Sequence, residues 1–379
     1  MAVELTAEQQ AELRESTDAK DCVFRSIREA PFQIYGLYHP EEEGRFHRMP
    51  TEVADPIGGS VKGQNYSSAG ARVRFSTDAP YMVVYCKNPR SVYFSNMTPM
   101  ATTGVDVYLD YPNVGGRAPY SRYMHSVRPP QTSGESFSSR LNFPAGKKYV
   151  TMYLPMYNTY EDMYIGLPEG ATLDVGLPYV NKKPILFYGS SITQGASASR
   201  PGCAYTSIVS RRLNANIVNL GFSGGAKGED EMIAYLAEQD MSIFVCDYDH
   251  NAPNAEHLRA THEKLFLAVR EKHPSIPIVL ISKPDFNQFG DSGRMRTADS
   301  AARRDVIIDT YRNARQRGDK LVWYIDGEGF FSGPDEGDCT IDGTHPNDVG
   351  MLKMADTVHR VLLRILNEGP YLTKEKEEQ

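Results

Sequence analysis

The sequence predicts an α/β protein in two parts, an antiparallel β-sandwich followed by a doubly wound parallel sheet of five strands. Two rhythms carry that reading. From about residue 30 to 178, short alternating runs such as "ARVRFST", "YMVVYCK", "GVDVYLDY" and "KKYVTMYLPM" are separated by turn residues, as in strands of a sandwich. From 184 onward, the apolar runs "PILFYG", "NIVNLGF", "SIFVCDY", "IPIVLIS" and "LVWYID" alternate with amphipathic stretches, as in buried parallel strands joined by helices.

At 379 residues the chain exceeds what one core usually serves, which agrees with two domains. The expected organisation is a helical segment over 1–29, the sandwich over 30–178, and the α/β domain over 179–379, with the short polar junction "YVNKK" between the last two. At the N-terminus, Thr6 with Gln9 forms a capping-box pattern that opens a short helix, in place of a charged-then-apolar export signal. Near the C-terminus, a helix from about Asp348 puts Met351, Ala355, Val358, Leu362 and Ile365 on one face, and Gly369-Pro370 is expected to end it.

Composition excludes several classes of function. A formal net charge of −7 argues against nucleic acid as the main partner, because phosphate binding needs a basic surface. No apolar run approaches the ~18 residues that span a bilayer, so no membrane segment is expected. The five cysteines are scattered and free of C-x-x-C spacing. They read as buried thiols in a reducing, cytoplasmic compartment rather than as disulfides or a zinc site. "GGAKG" lacks the Gly-Lys-Ser/Thr of a phosphate loop. Asp247, Asp249 and His250 lack a second His or Cys cluster at ligand spacing, and no metal or other cofactor is expected.

In an open α/β sheet, ligands gather at the carboxyl ends of the strands. The first strand ends in "GSSIT", where either Ser190 or Ser191 offers an exposed hydroxyl. The second ends in "GFSGGAKG", whose Gly224 and Gly225 let backbone N–H groups approach a ligand, and the third in "DYDHNAP", which brings the carboxamide of Asn251. Before the last helix, "DGTHPN" sets Asp342 three residues from His345. Ester hydrolysis requires a nucleophile, a base, a group that orients the base, and donors for the developing oxyanion. These four segments contain one of each.

In that order, G-S-S-I-T, G-F-S-G, an Asn after the third strand and D-x-x-H, the chain from about 184 to 366 resembles the SGNH (GDSL-type) hydrolase superfamily, whose fold is flavodoxin-like. The resemblance implies Ser191 as nucleophile, since Ser190 falls where the family usually has Asp. It further implies His345 as base, Asp342 as triad acid, and an oxyanion hole made by Ser191 N–H, Gly224 N–H and Asn251. "GVDVYLD" and "YLPMYNTYEDMYIGLPEGA" are similar to the jelly-roll-like sandwich of a subgroup named for a G-x-D-L-Y motif, with Val107 here in place of its Leu. Two further departures stand out: Ser190 removes a carboxylate that normally braces the nucleophile turn, and the third block reads D-H-N-A rather than G-x-N-D. The implied activity is removal of acetyl or other short acyl groups from a carbohydrate or small polar ester. An acyltransferase on the same triad and a non-catalytic sugar-binding protein are the alternatives.

Overall fold

A computed structural model describes residues 4–284 and 298–377, apart from 43, 91, 113–118 and 132–133. The chain divides into two compact units, one made of Met1–Pro50, Asn65–Val180 and Ser199–Gly202, the other of Thr51–Gln64, Asn181–Ala198 and Cys203–Gln379. The helices of the first half are α1 (Ala7–Ser16), α2 (Thr51–Ile57), α3 (Gly59–Asn65) and α4 (Pro99–Thr103). Of these, α2 and α3 as far as Gln64 cluster with the second unit, a departure from the expected run of sandwich over 30–178.

The first unit holds strands β1 (Cys22–Ser26), β2 (Gln33–Tyr35), β3 (Arg72–Thr77), β4 (Tyr81–Lys87), β5 (Val105–Tyr111), β6 (Tyr120–Val127), β7 (Phe137–Asn142), β8 (Lys148–Tyr153), β9 (Asp162–Pro168) and β10 (Leu173–Val175). They form two antiparallel sheets ordered β1-β9-β4-β7 and β10-β3-β8-β5-β6, with β2 also paired to β3. Side chains alternate across a strand, so the period of two seen in the sequence sends one set inward. Val73 and Phe75 on β3, Val107 and Leu109 on β5, and Val150 and Met152 on β8 share one core with Met82 and Val84 on β4 and Ile165 on β9. Residues 1–29, expected as a segment of their own, belong to this unit because β1 pairs with β9 along its whole length. The Thr6–Gln9 capping box forms as the sequence indicates.

The G-x-D-V-Y segment has a structural task inside this unit. Arg200 donates from Nη1 to Asp106 Oδ2 and to the Tyr108 hydroxyl, both at 2.8 Å, and Gly202 N–H reaches Asp106 Oδ2 at 2.7 Å. Asp106 is fully buried, so these donors stabilise a carboxylate that burial alone would disfavour.

The second unit is a parallel sheet of β11 (Asn181–Gly189), β12 (Ala215–Gly221), β13 (Ile243–Asp247), β14 (Ile278–Ile281) and β15 (Val322–Ile325), ordered β12-β11-β13-β14-β15. Its further helices are α5 (Ser191–Gln194), α6 (Tyr205–Leu213), α7 (Asp230–Ala237), α8 (Ala255–Lys272), α9 (Ala298–Gln316) and α10 (Asp348–Glu377). With β11 first in the chain and central between β12 and β13, its carboxyl end lies at the topological switch point where ligands bind. On α10 the predicted apolar face is buried, from Met351 through Ala355, Val358 and Leu362 to Ile365. The helix does not stop at Gly369-Pro370 but runs on to Glu377. A proline removes one backbone donor, and the helix continues past it without that bond. Among the described residues, no helix is long and apolar enough to cross a membrane.

Candidate active site

The turn after β11 is tight. A Cβ on Gly189 would lie 2.0 Å from Thr193 Oγ1 and 2.4 Å from the Asp247 carbonyl oxygen, so only glycine lets the strand enter α5 this closely. Ser190 is the N-cap of α5, and its Oγ accepts from Ile192 N–H at 3.2 Å. Ser191 is the first residue of α5, where a backbone N–H has no carbonyl four residues behind it within the helix. The two adjacent serines therefore differ in role: Ser190 Oγ turns back to the helix, while Ser191 Oγ stands 3.0 Å from His345 Nε2.

His345 is held from its other side. Its Nδ1 donates to Asp342 Oδ2 at 2.7 Å, and Asp342 Oδ1 accepts from the N–H groups of His345 at 2.8 Å and Thr344 at 3.0 Å. Gly343, at φ +75°, allows the chain to fold that tightly between them. Burial acts to raise the Asp342 pKa, but hydrogen bonds from the His345 backbone and imidazole, the imidazole's charge, and the Thr344 N–H outweigh it and bring the group to about 2. An ionised Asp342 fixes the tautomer that leaves Nε2 as acceptor for the Ser191 proton.

Gly224 lies in the loop after β12 at φ +68°. The Phe222 carbonyl organises that loop, accepting from Gly225 N–H at 2.9 Å and from Asn251 Nδ2 at 2.8 Å. Asn251 and the glycine loop are thus joined directly, and the second N–H of the Asn251 amide has no partner among the described residues. The loop is also tied to α5: Ser223 N–H donates to Gln194 Oε1 at 2.8 Å.

Several residues of this site carry no motif. Asp247, at the end of β13, accepts from Thr193 Oγ1 and the Tyr205 hydroxyl, both at 3.0 Å, and its carbonyl accepts from Ser190 N–H at 3.1 Å. A carboxyl group therefore still braces the Ser190–Ser191 turn, supplied by the neighbouring strand rather than by residue 190. Burial, then the nearby Asp249, pushes the Asp247 pKa up to about 8 against the pull of those two hydroxyls. Asp249, raised by burial to about 6, accepts from Lys283 N–H at 2.9 Å. Both acids are thus engaged in the framework. A Thr two residues after Ser191 and an acid closing a buried strand are the components of this brace.

Fold and residues together define a protein of the SGNH hydrolase kind. Residues 182–363 match the family model of the GDSL-like lipase/acylhydrolase family, and residues 22–173 match that of the GxDLY N-terminus of SGNH-hydrolase-type esterases. Together the two matches cover most of residues 22–363. A solved structure assigned as a GDSL-like lipase, from Bacteroides ovatus, is 29% identical with a TM-score of 0.79, over 91% of this chain and 98% of that one. The salicylyl-acyltransferase SsfX3 from a tetracycline biosynthetic pathway shares the fold at 21% identity and a TM-score of 0.69, over 92% and 98% of the two chains. So does a family two carbohydrate esterase from Clostridium thermocellum, solved with cellohexaose, at 14% identity and a TM-score of 0.55, over 89% and 99%. No curated protein matches the chain.

Proposed function

We propose that the protein is a serine ester hydrolase that removes short acyl groups, acetyl foremost, from carbohydrate hydroxyls through an acyl-enzyme. The observation that carries this reading is the continuous line from Ser191 Oγ to His345 Nε2 at 3.0 Å and from His345 Nδ1 to Asp342 at 2.7 Å. His345 takes the Ser191 proton as Oγ attacks the acyl carbon, and Asp342 stabilises the imidazolium that results. Ser191 N–H, Gly224 N–H and the Asn251 amide receive the oxyanion. His345 then gives its proton to the departing sugar oxygen. Water, deprotonated by the same imidazole, attacks the acyl-Ser191 ester, and the imidazolium returns that proton to the departing Ser191 Oγ as the acid is released.

Substrate class rests on the loops at the strand ends. "GFSGGAKG", "DYDHNAP" and "DGTHPN" are rich in Gly, Ser, Asn and Asp and have no long apolar stretch, which suits a polar alcohol portion and a small acyl group. The carbohydrate esterase of like fold makes a sugar the first alcohol to try. The test is acetate release from acetylated oligosaccharides, set beside aryl esters of increasing chain length. Acetyl esters are expected to react faster than butyryl and far faster than octanoyl esters; fastest turnover of octanoyl esters overturns the substrate class. The acyltransferase reading differs in one observable, product that forms only when an acceptor alcohol is supplied. Four buried cysteine thiols and a half-buried Cys203 favour a reducing, cytoplasmic setting.

A further inference from the structure

Gln194 closes α5 and is fully buried, so both ends of its carboxamide need partners inside the protein. One end has no choice of orientation. Ser223 presents a backbone N–H, which can only donate, and so the Gln194 carbonyl oxygen faces it at 2.8 Å. That leaves Gln194 Nε2 pointing the other way, where it donates to Gln64 Oε1 at 2.9 Å. Gln64 belongs to α3, more than a hundred residues earlier in the chain, yet it lies in the same compact unit. The start of α3 meets the same loop independently. A Cβ on Gly225 would lie 3.1 Å from both Ser60 Cβ and Val61 N, and one on Gly224 would lie 3.6 Å from Ser60 Oγ.

We infer that Gln64 is a positioning residue for the oxyanion hole, acting through Gln194 to hold the Ser223–Gly224 backbone in register with the Ser191 N–H. This rests on the hydrolase reading above. The Gln64 acceptor orients the Gln194 amide, that amide fixes Ser223, and Ser223 carries Gly224 into place. α3, which joins this unit together with α2, is therefore how the N-terminal half of the sequence reaches the loop. Without the acceptor, the buried Nε2 loses this hydrogen bond and with it the constraint that sets the amide's orientation, which lets the loop shift. Displacements of about an ångström at such a donor are large enough to slow a reaction many-fold.

The experiment uses the full-length protein, with p-nitrophenyl acetate turnover and the rate at which a short alkyl fluorophosphonate labels Ser191 as readouts. Gln64→Met keeps the length of the side chain without the acceptor, and Gln64→Ala removes both. Each is expected to lower kcat and the labelling rate by about tenfold with KM within about twofold, since the hole acts mainly in the transition state. Gln64→Met combined with Gln194→Met is expected to be no slower than Gln194→Met alone, because one relay is cut only once. Thermal unfolding separates a loss of fold from a loss of register. Wild-type kcat in Gln64→Met, or losses that multiply in the double variant, overturn the inference. If Ser191→Ala hydrolyses the ester as fast as the wild type, the hydrolase reading fails and takes this inference with it. Dependence on Ser191 with no response to Gln64→Met overturns this inference alone.

Discussion

The two halves of the candidate site are built in opposite ways. The Asp342–His345 turn is complete within four consecutive residues, its carboxylate accepting from the backbone and the imidazole of the same short loop. The glycine loop is assembled from segments scattered along the chain: Ser60 and Gln64 on α3, Gln194 on α5, Phe222 and Ser223 in the loop, and Asn251 after β13. A local turn is specified by neighbouring residues and tolerates change elsewhere. A composite loop depends on every segment that meets it, so its function can be damaged from far away in sequence.

Breaking the proton-transfer line should give the largest effects. Ser191→Ala and His345→Ala are each expected to lower kcat by about 10⁶, as seen when either member of such a pair is removed elsewhere. Ser190→Ala, which removes only a helix cap, should lose about 1 kcal/mol of stability at most and keep a readily measured rate. Steady-state ester hydrolysis checks all three, and an inactive Ser190→Ala beside an active Ser191→Ala would reverse the assignment of the nucleophile. Asp342→Asn comes next, at about 10⁴ in kcat, because the amide fills the space but favours the wrong tautomer of His345.

The composite half should respond more gently. Asn251→Ala is expected to cost about 10² to 10³ in kcat with little change in KM, the pattern of a donor that engages chiefly in the transition state. Gly225→Ala presses a methyl group on Ser60 and Val61 at 3.1 to 3.2 Å, and this loop must give way by a few tenths of an ångström. A fall of about tenfold in kcat is expected there, and an unchanged rate would mean that the loop is not held against α3.

The smallest effect on rate, and a distinct one on stability, belongs to the acid under the Ser190–Ser191 turn. Asp247 and Asp249, raised to about 8 and about 6, hold protons in the folded state that an unfolded carboxyl group releases near pH 4. Between about pH 4 and 8 the folded protein therefore binds more protons than the unfolded chain, and stability falls as pH rises through that window, by up to about 1.4 kcal/mol per pH unit for each proton. Above pH 8 this contribution levels off. Asp247→Asn cannot ionise, so urea midpoints at pH 5, 7 and 9 should decline less steeply in the variant. Equal slopes would show that Asp247 is ionised throughout.

Much of the architecture follows from patterns that act over a few residues. Alternation sends Val73 and Phe75, or Val107 and Leu109, to one face of a strand, and the spacing of four and then seven residues from Met351 to Ala355 to Leu362 does the same for α10. Thr6 and Gln9, or Asp342 and His345, meet because three residues of a turn or a first helical turn span the distance between them. Such features need no knowledge of the rest of the chain. The membership of residues 51–64 in the α/β unit, the relay from Gln64 through Gln194 to Ser223, and the transfer of the bracing acid from position 190 to Asp247 have no short-range signature. They arise where buried amides, hydroxyls and carboxyls from distant segments must find one another once water is excluded, and only the tertiary packing decides which partners lie within 3 Å.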